Sequence, residues 1–178
     1  SKDFMKEELA KKARMIEAVL FDVDGVMTDG KIYCSERGET LKAFNAADGL
    51  GIKLLSDFNV LTGVISGRNS PALRYRLAEL NVKHLYLGAV DKLSAFEQFL
   101  EQVKLTPKQV AFIGDDLPDL PILTRCGLAV SASNGCNEVR SRADYITDRQ
   151  GGDGSIREVV ELILKSKGLW EDYIKGIC

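Results

Sequence analysis

Histidine is almost absent from this chain. Among 178 residues only His84 is one. A Ser-His-Asp or Cys-His nucleophile would have to run through it, and no GxSxG turn is present. His84 lies between Lys83 and Leu85 at the start of a short strand-like run, and an edge-of-strand histidine is the simpler reading. Chemistry therefore rests on carboxylates and lysine. No apolar run approaches the roughly 20 residues that span a bilayer. The charged N-terminal stretch, Ser1 to Arg14, reads as an amphipathic helix, not a secretory signal. The four cysteines, Cys34, Cys126, Cys136 and Cys178, show no CxxC pairing, so reduced thiols and a cytoplasmic setting are expected. A net charge of −2 makes no overall electrostatic case for nucleic acid or an acidic membrane as partner.

What is present is ordinary globular composition, 45% apolar and 28% charged, in the length of one domain. Short apolar runs alternate with helical patterns. Ala18 to Phe21 is wholly apolar, as in a strand buried on both faces. Val60 to Ile65, His84 to Leu87, Val110 to Ile113, Leu128 to Val130 and Tyr145-Ile146 are further strands. Helices are expected from Asp48 to Phe58, from Pro71 to about Leu80, from Lys92 to Val103, from Leu117 to Cys126 and from Cys136 to Arg142. The best patterned helix runs from Ser155 to Lys167, with Ile156, Val159, Val160, Ile163 and Leu164 on one face. Residues 31–44 read as two strands around a turn at Gly38. The tail, residues 168–178, carries Trp170 and Tyr173 and shows no decisive pattern. The alternation predicts an α/β fold: one domain over residues 1–178, three layers, a mostly parallel Rossmann-like sheet with helices on both faces and a small projecting hairpin.

In such sheets ligands bind beyond the carboxyl ends of the strands. Those ends carry Asp22-Val-Asp24-Gly25, Ser66-Gly67-Arg68, Asp91-Lys92 and Gly114-Asp115-Asp116. Taken singly, each is an ordinary turn or helix cap. Together they gather acids, a hydroxyl, a lysine and an arginine on one rim. Crowded carboxylates repel unless a cation joins them, and Mg²⁺ prefers oxygen ligands together with substrate phosphate. Ser66 and Lys92 would then serve the other phosphate oxygens, and Gly25 and Gly67 would allow close backbone approach. Asp22 is the candidate nucleophile toward phosphorus. Asp24, two residues on and on the same side of an extended segment, is the candidate proton donor and later base.

These motifs resemble those of the haloacid dehalogenase superfamily of phosphohydrolases, in the order Asp22 to Thr28, Val64 to Arg68, Lys92, and Gly114 to Asp119. Thr28-Asp-Gly30, Asp48 to Lys53, Ser66 to Pro71 and Gly151 to Glu158 narrow the resemblance to its capless branch, the 3-deoxy-D-manno-octulosonate 8-phosphate phosphatase family. The stretch between Gly25 and Val60 leaves room for a hairpin and a helix but no cap domain. The resemblance implies Mg²⁺ held by Asp22, the backbone carbonyl of Asp24 and Asp115. It implies sugar-acid contacts at Asn45, Ala46, Ala47, Asp48, Gly49, Lys53, Arg68, Arg76 and Lys92, besides Asp24 and Gly67. It also implies a homotetramer in which one subunit helps to close a neighbour's site, and a product used in lipopolysaccharide assembly. Ala47 stands where the family often has arginine. A nine-carbon sugar-acid 9-phosphate is the alternative substrate, favoured by Val90 to Ala95, whereas Ser66-Gly-Arg68 favours the eight-carbon acid. An inactive regulatory or oligomerisation module is the non-enzyme alternative; it would be expected to lack one of the motif acids, and all are present.

Overall fold

The computed structural model describes residues 2–178. The apolar run Ala18–Phe21 forms β1, fully buried. It pairs in parallel with β4 (Leu61–Ser66) on one side and β6 (Val110–Gly114) on the other. The hairpin supplies β2 (Tyr33–Ser35) and β3 (Gly38–Leu41), antiparallel and separate from the main sheet. β5 (His84–Leu87), β7 (Leu128–Ser131) and β8 (Tyr145–Ile146) complete a six-stranded sheet in the order β5-β4-β1-β6-β7-β8, with every pairing parallel. His84 is on the edge strand, and burial holds its pKa below the usual value.

Alternation along β1 explains its composition. Val19 and Phe21 enter one core and Ala18 and Leu20 the other, so neither face tolerates a polar residue. The first core receives α1 (Lys2–Arg14) through Ala13 and α2 (Ala46–Asp57) through Ile52 and Leu55. It also receives α3 (Pro71–Glu79) through Leu73 and Leu77, and α7 (Ser155–Ser166) through the five residues expected on its apolar face. The second core takes Phe96 and Phe99 of α4 (Lys92–Val103), Ile122 and Leu123 of α5 (Leu120–Leu123) and Val139 of α6 (Asn137–Arg140). No cap domain interrupts the chain between β1 and β4.

Several boundaries differ from expectation. α2 is opened by Asn45, whose side chain accepts from the Asp48 N–H at 3.0 Å, and not by Asp48. The helix expected over Leu117 to Cys126 is a 3₁₀ turn followed by one α-helical turn, because Pro118 and Pro121 confine helix to first-turn positions. The hairpin strands are shorter than residues 31–44, with Gly38 at φ +87°. The tail forms α8 (Trp170–Ile177), and Tyr173 packs edge-on against Phe58 at 5.9 Å. Among the described residues no helix is long and apolar enough to cross a membrane.

Ile163 is fully buried between α7 and the sheet. Ile163→Ala is expected to destabilise the protein by about 2–5 kcal/mol, seen as a lower urea midpoint with an unchanged denaturant slope. A smaller loss would mean that α7 is held chiefly by its ends.

Candidate active site

Strand register brings the motifs to one place. Phe21 aligns with Ile113 in β6 and with Val64 in β4, so Asp22 emerges beside Gly114 and close to Ser66. The Asp22 N–H donates to the Ile113 carbonyl at 3.1 Å, continuing the ladder by one step. A cavity of about 500 Å³ opens over these strand ends. Asp22, Asp24, Ser66, Gly67, Arg68, Lys92, Asp115 and Asp116 line it, together with Gly30, Ala89, Val90 and Pro118.

Asp22 and Asp115 each offer a carboxylate oxygen, with one from Asp119, all within 4.8 Å of one another. Burial, the largest cause for both, pushes the first two above the usual carboxylate range, with repulsion from Asp119 adding to it at Asp22 and from Asp22 and Asp119 at Asp115. Asp22 keeps two compensating contacts. Its Oδ1 accepts from the Val23 N–H at 2.8 Å and lies 3.2 Å from Lys92 Nζ. Asp115 has less help, since its Oδ1 is buried without a hydrogen-bond partner. Its Oδ2 faces Gly25, where an added Cβ would fall 1.9 Å away; Gly25 also has φ +86°, a conformation glycine adopts without strain. A buried, unpartnered carboxylate oxygen beside a second carboxylate is the donor set of a hard divalent cation.

Asp119 was not among the expected site residues. It is fully buried and binds Lys92 Nζ at 2.7 Å. Its Oδ2 accepts from the N–H groups of Asp115 and Asp116, at 3.0 and 3.3 Å. With those bonds made, Asp119 holds Lys92 and the Asp115 turn in place. A third acid four residues after Asp115 was the available signal, since a single tight turn returns it to the same strand end. Burial alone would depress the Lys92 ammonium, but Asp22 and Asp119 outweigh it and leave the pKa above the ordinary lysine value.

Asn45, Ala46, Ala47, Asp48, Gly49, Lys53 and Arg76 do not line this cavity. Asn45 and Ala47 line a larger mixed-charge groove of about 880 Å³ along α7, with Arg149, Arg157 and Lys165. The Asp48 carboxylate is buried and accepts from the Arg157 N–H at 2.9 Å, capping α7, whose own cap residue, Gly154, has no side chain. Burial is the main reason its pKa is raised. Arg76 lies against Gly49, where an added Cβ would meet its Nη2 at 2.4 Å, and over the Phe44 ring at 6.0 Å. Lys53 is exposed on α2.

Residues 78–158 match a family model described as haloacid dehalogenase-like hydrolase. The chain is 42% identical over 157 residues to the 3-deoxy-D-manno-octulosonate 8-phosphate phosphatase KdsC of Salmonella typhi, covering 88% of this chain and 84% of that protein. The chain belongs to the 3-deoxy-D-manno-octulosonate 8-phosphate phosphatase family. The Haemophilus influenzae member is 39% identical over 160 residues, spanning 90% of this chain and 89% of its own. The structure of the Moraxella catarrhalis family member, in complex with magnesium, phosphate and KDO, superposes with a TM-score of 0.93 at 37% identity, covering 97% and 99% of the two chains. This family makes the chain a phosphomonoesterase of the haloacid dehalogenase type, with the expected capless fold.

The raised carboxylates have a measurable consequence. Folded, metal-free protein holds these protons more tightly than the unfolded chain, so their contribution to stability is present at low pH and lost as pH rises through the raised values. Without metal, Tm of the native protein should fall more steeply between about pH 5 and about pH 8 than that of Asp115→Asn. Mg²⁺ should raise the native Tm most at the alkaline end. Scanning fluorimetry with and without EDTA measures both, and parallel slopes in the two proteins would rule out the carboxylate pair as their source.

Proposed function

We propose that this chain hydrolyses 3-deoxy-D-manno-octulosonate 8-phosphate to the free sugar acid and phosphate through an aspartyl-phosphate intermediate. The observation that carries this reading is the meeting of Asp22 and Asp115 in one cavity with Lys92, Ser66 and Asp24. Mg²⁺ would be held by Asp22, Asp115 and the backbone carbonyl of Asp24. Once bound, it would screen the carboxylates and withdraw charge from the phosphoryl oxygens.

The protein's own groups then act in order. Lys92 and the Ser66 hydroxyl hold phosphoryl oxygens and offset their charge, most of what a protein can contribute to this transfer. An Asp22 oxygen attacks phosphorus as the bond to the sugar oxygen breaks. Asp24 gives that oxygen its proton. Asp24 then takes a proton from water, whose oxygen attacks the aspartyl phosphate and restores Asp22. Asp119 keeps the Lys92 ammonium aimed at the reacting group.

Arg68, at the cavity wall, is the proposed partner of the substrate carboxylate, and Gly67 lets the ligand approach the backbone. The sugar-acid contacts proposed at Asn45, Ala46, Ala47, Asp48, Gly49, Lys53 and Arg76 do not come from residues lining the same chain's cavity. They fit a homotetramer in which a neighbour completes each site. The exposed Tyr33 and Leu41 of the hairpin offer apolar surface for that assembly. The proposed compartment is the cytoplasm, where four free cysteines stay reduced, and the proposed role of the product is in lipopolysaccharide synthesis. No nucleic acid or membrane partner is proposed.

Asp22→Asn should lower turnover by on the order of 10⁴-fold or more while the circular dichroism spectrum stays native. Phosphate release at the native rate would end the covalent scheme. On a panel of sugar-acid phosphates, kcat/KM for the eight-carbon ester should exceed that for the nine-carbon 9-phosphate by about tenfold or more. The reverse order would assign the nine-carbon acid. No turnover of any ester with Mg²⁺ present would point to a regulatory module.

A further inference from the structure

The hairpin strands are largely exposed, yet two of its charged side chains turn inward. Lys42, directly after β3, leaves 3% of its side chain accessible, and Glu39 12%. Lys42 Nζ is 2.7 Å from Asp24 Oδ1 and 2.8 Å from Glu39 Oε1. Arg68 closes the figure, with Nε 3.5 Å from Asp24 Oδ2 and a terminal nitrogen 3.5 Å from Glu39 Oε2. Positive and negative groups alternate around a ring of four. Lys42 does not line the cavity, so any effect on the reaction passes through its neighbours, directly through Asp24 or, at one remove, through Glu39 and Arg68.

An ammonium has only donors. The Asp24 oxygen that faces it must stay an acceptor, so a proton on Asp24 has to sit on Oδ2. That oxygen is 3.5 Å from Arg68 Nε, which is also a donor only. This contact is longer than the 2.7 Å hydrogen bond from Lys42 and comes from a half-exposed side chain, so it is the one that yields when Asp24 is protonated. Glu39 has a complementary task. Whenever Asp24 is protonated, Lys42 loses one counter-charge, and a buried ammonium left alone is costly. Glu39 remains as its partner throughout the cycle. The raised Lys42 pKa, which its two carboxylate partners sustain against burial, agrees with this arrangement.

We propose that Lys42 is a positioning residue that fixes which oxygen of Asp24 carries the proton and presents it to the leaving group, with Glu39 as its permanent counter-charge. The inference rests on the reading of Asp24 as leaving-group acid. In that step the bond from Asp22 oxygen to phosphorus forms. The bond from phosphorus to sugar oxygen breaks, its electron pair stays on that oxygen, and the proton passes to it from Asp24 Oδ2.

The test compares two leaving groups in single turnovers of Mg²⁺-loaded enzyme. A sugar alkoxide needs the proton, whereas p-nitrophenolate departs without one. Lys42→Met should slow release of the sugar acid by about tenfold or more and change release of p-nitrophenolate from its phosphate ester little. A merely structural role would slow both alike, and equal losses, or none, would overturn the inference. Asp24→Asn separates the possible failures. If it shows no leaving-group contrast, the reading of Asp24 falls, and Lys42 with it. If it shows the contrast and Lys42→Met does not, the inference about Lys42 falls alone. Glu39→Gln, which removes charge while keeping shape, should show the same contrast at smaller size. It decides the matter if Lys42→Met does not fold; equal loss on both esters would then overturn the inference.

Discussion

Two carboxylates held together under cover are the constraint on which the rest of this structure depends. Asp22 and Asp115 are brought within reach of one another by the pairing of β1 with β6, and burial makes it costly to charge both there. Much nearby structure manages that crowding. Gly25 leaves room for the Asp115 carboxylate, the Val23 N–H and Lys92 hold Asp22, and Asp119 anchors Lys92. In the proposed reaction that concentrated negative charge would hold a divalent cation.

The loop that follows Asp24 is held from the far end of the chain. Asn134 donates to the Gly25 carbonyl at 3.1 Å and accepts from the Gly151 N–H at 2.8 Å. Gly151 lies so close that an added Cβ would fall 1.9 Å from the Gly25 carbonyl oxygen. The Gly152 N–H donates to the Val26 carbonyl at 3.1 Å, and Ser155 Oγ donates to the same group at 3.3 Å. Asp48 secures the start of α7 behind this turn. The packing of α2 on α7 therefore bears on the position of a loop that follows Asp22 by only a few residues.

The elements easiest to read were those whose burial imposes a pattern. β1 is apolar throughout because two cores claim its alternate residues, and α7 shows its five apolar positions because one face meets the sheet. Pro71 marked a helix start because its fixed torsion acts locally, and Ser70 caps that helix. Harder positions have a role set by a distant partner. Asp48 looked like the opening of a helix, or a sugar contact, and it caps a helix more than a hundred residues away. Lys42 and Glu39 carried no signal within the hairpin pattern, and only the fold brings them to Asp24 and Arg68.

From the sequence alone came the alternating α/β order, the acids, hydroxyl and lysine at strand ends, and a chemistry without histidine. These follow from local periodicity and residue type, which the chain carries wherever it goes. Only the folded protein decided that Asp119 anchors Lys92, that Asp48 faces inward, and that Lys42 touches Asp24. Such contacts join segments far apart in the chain, and distance along the backbone contains no record of distance in space.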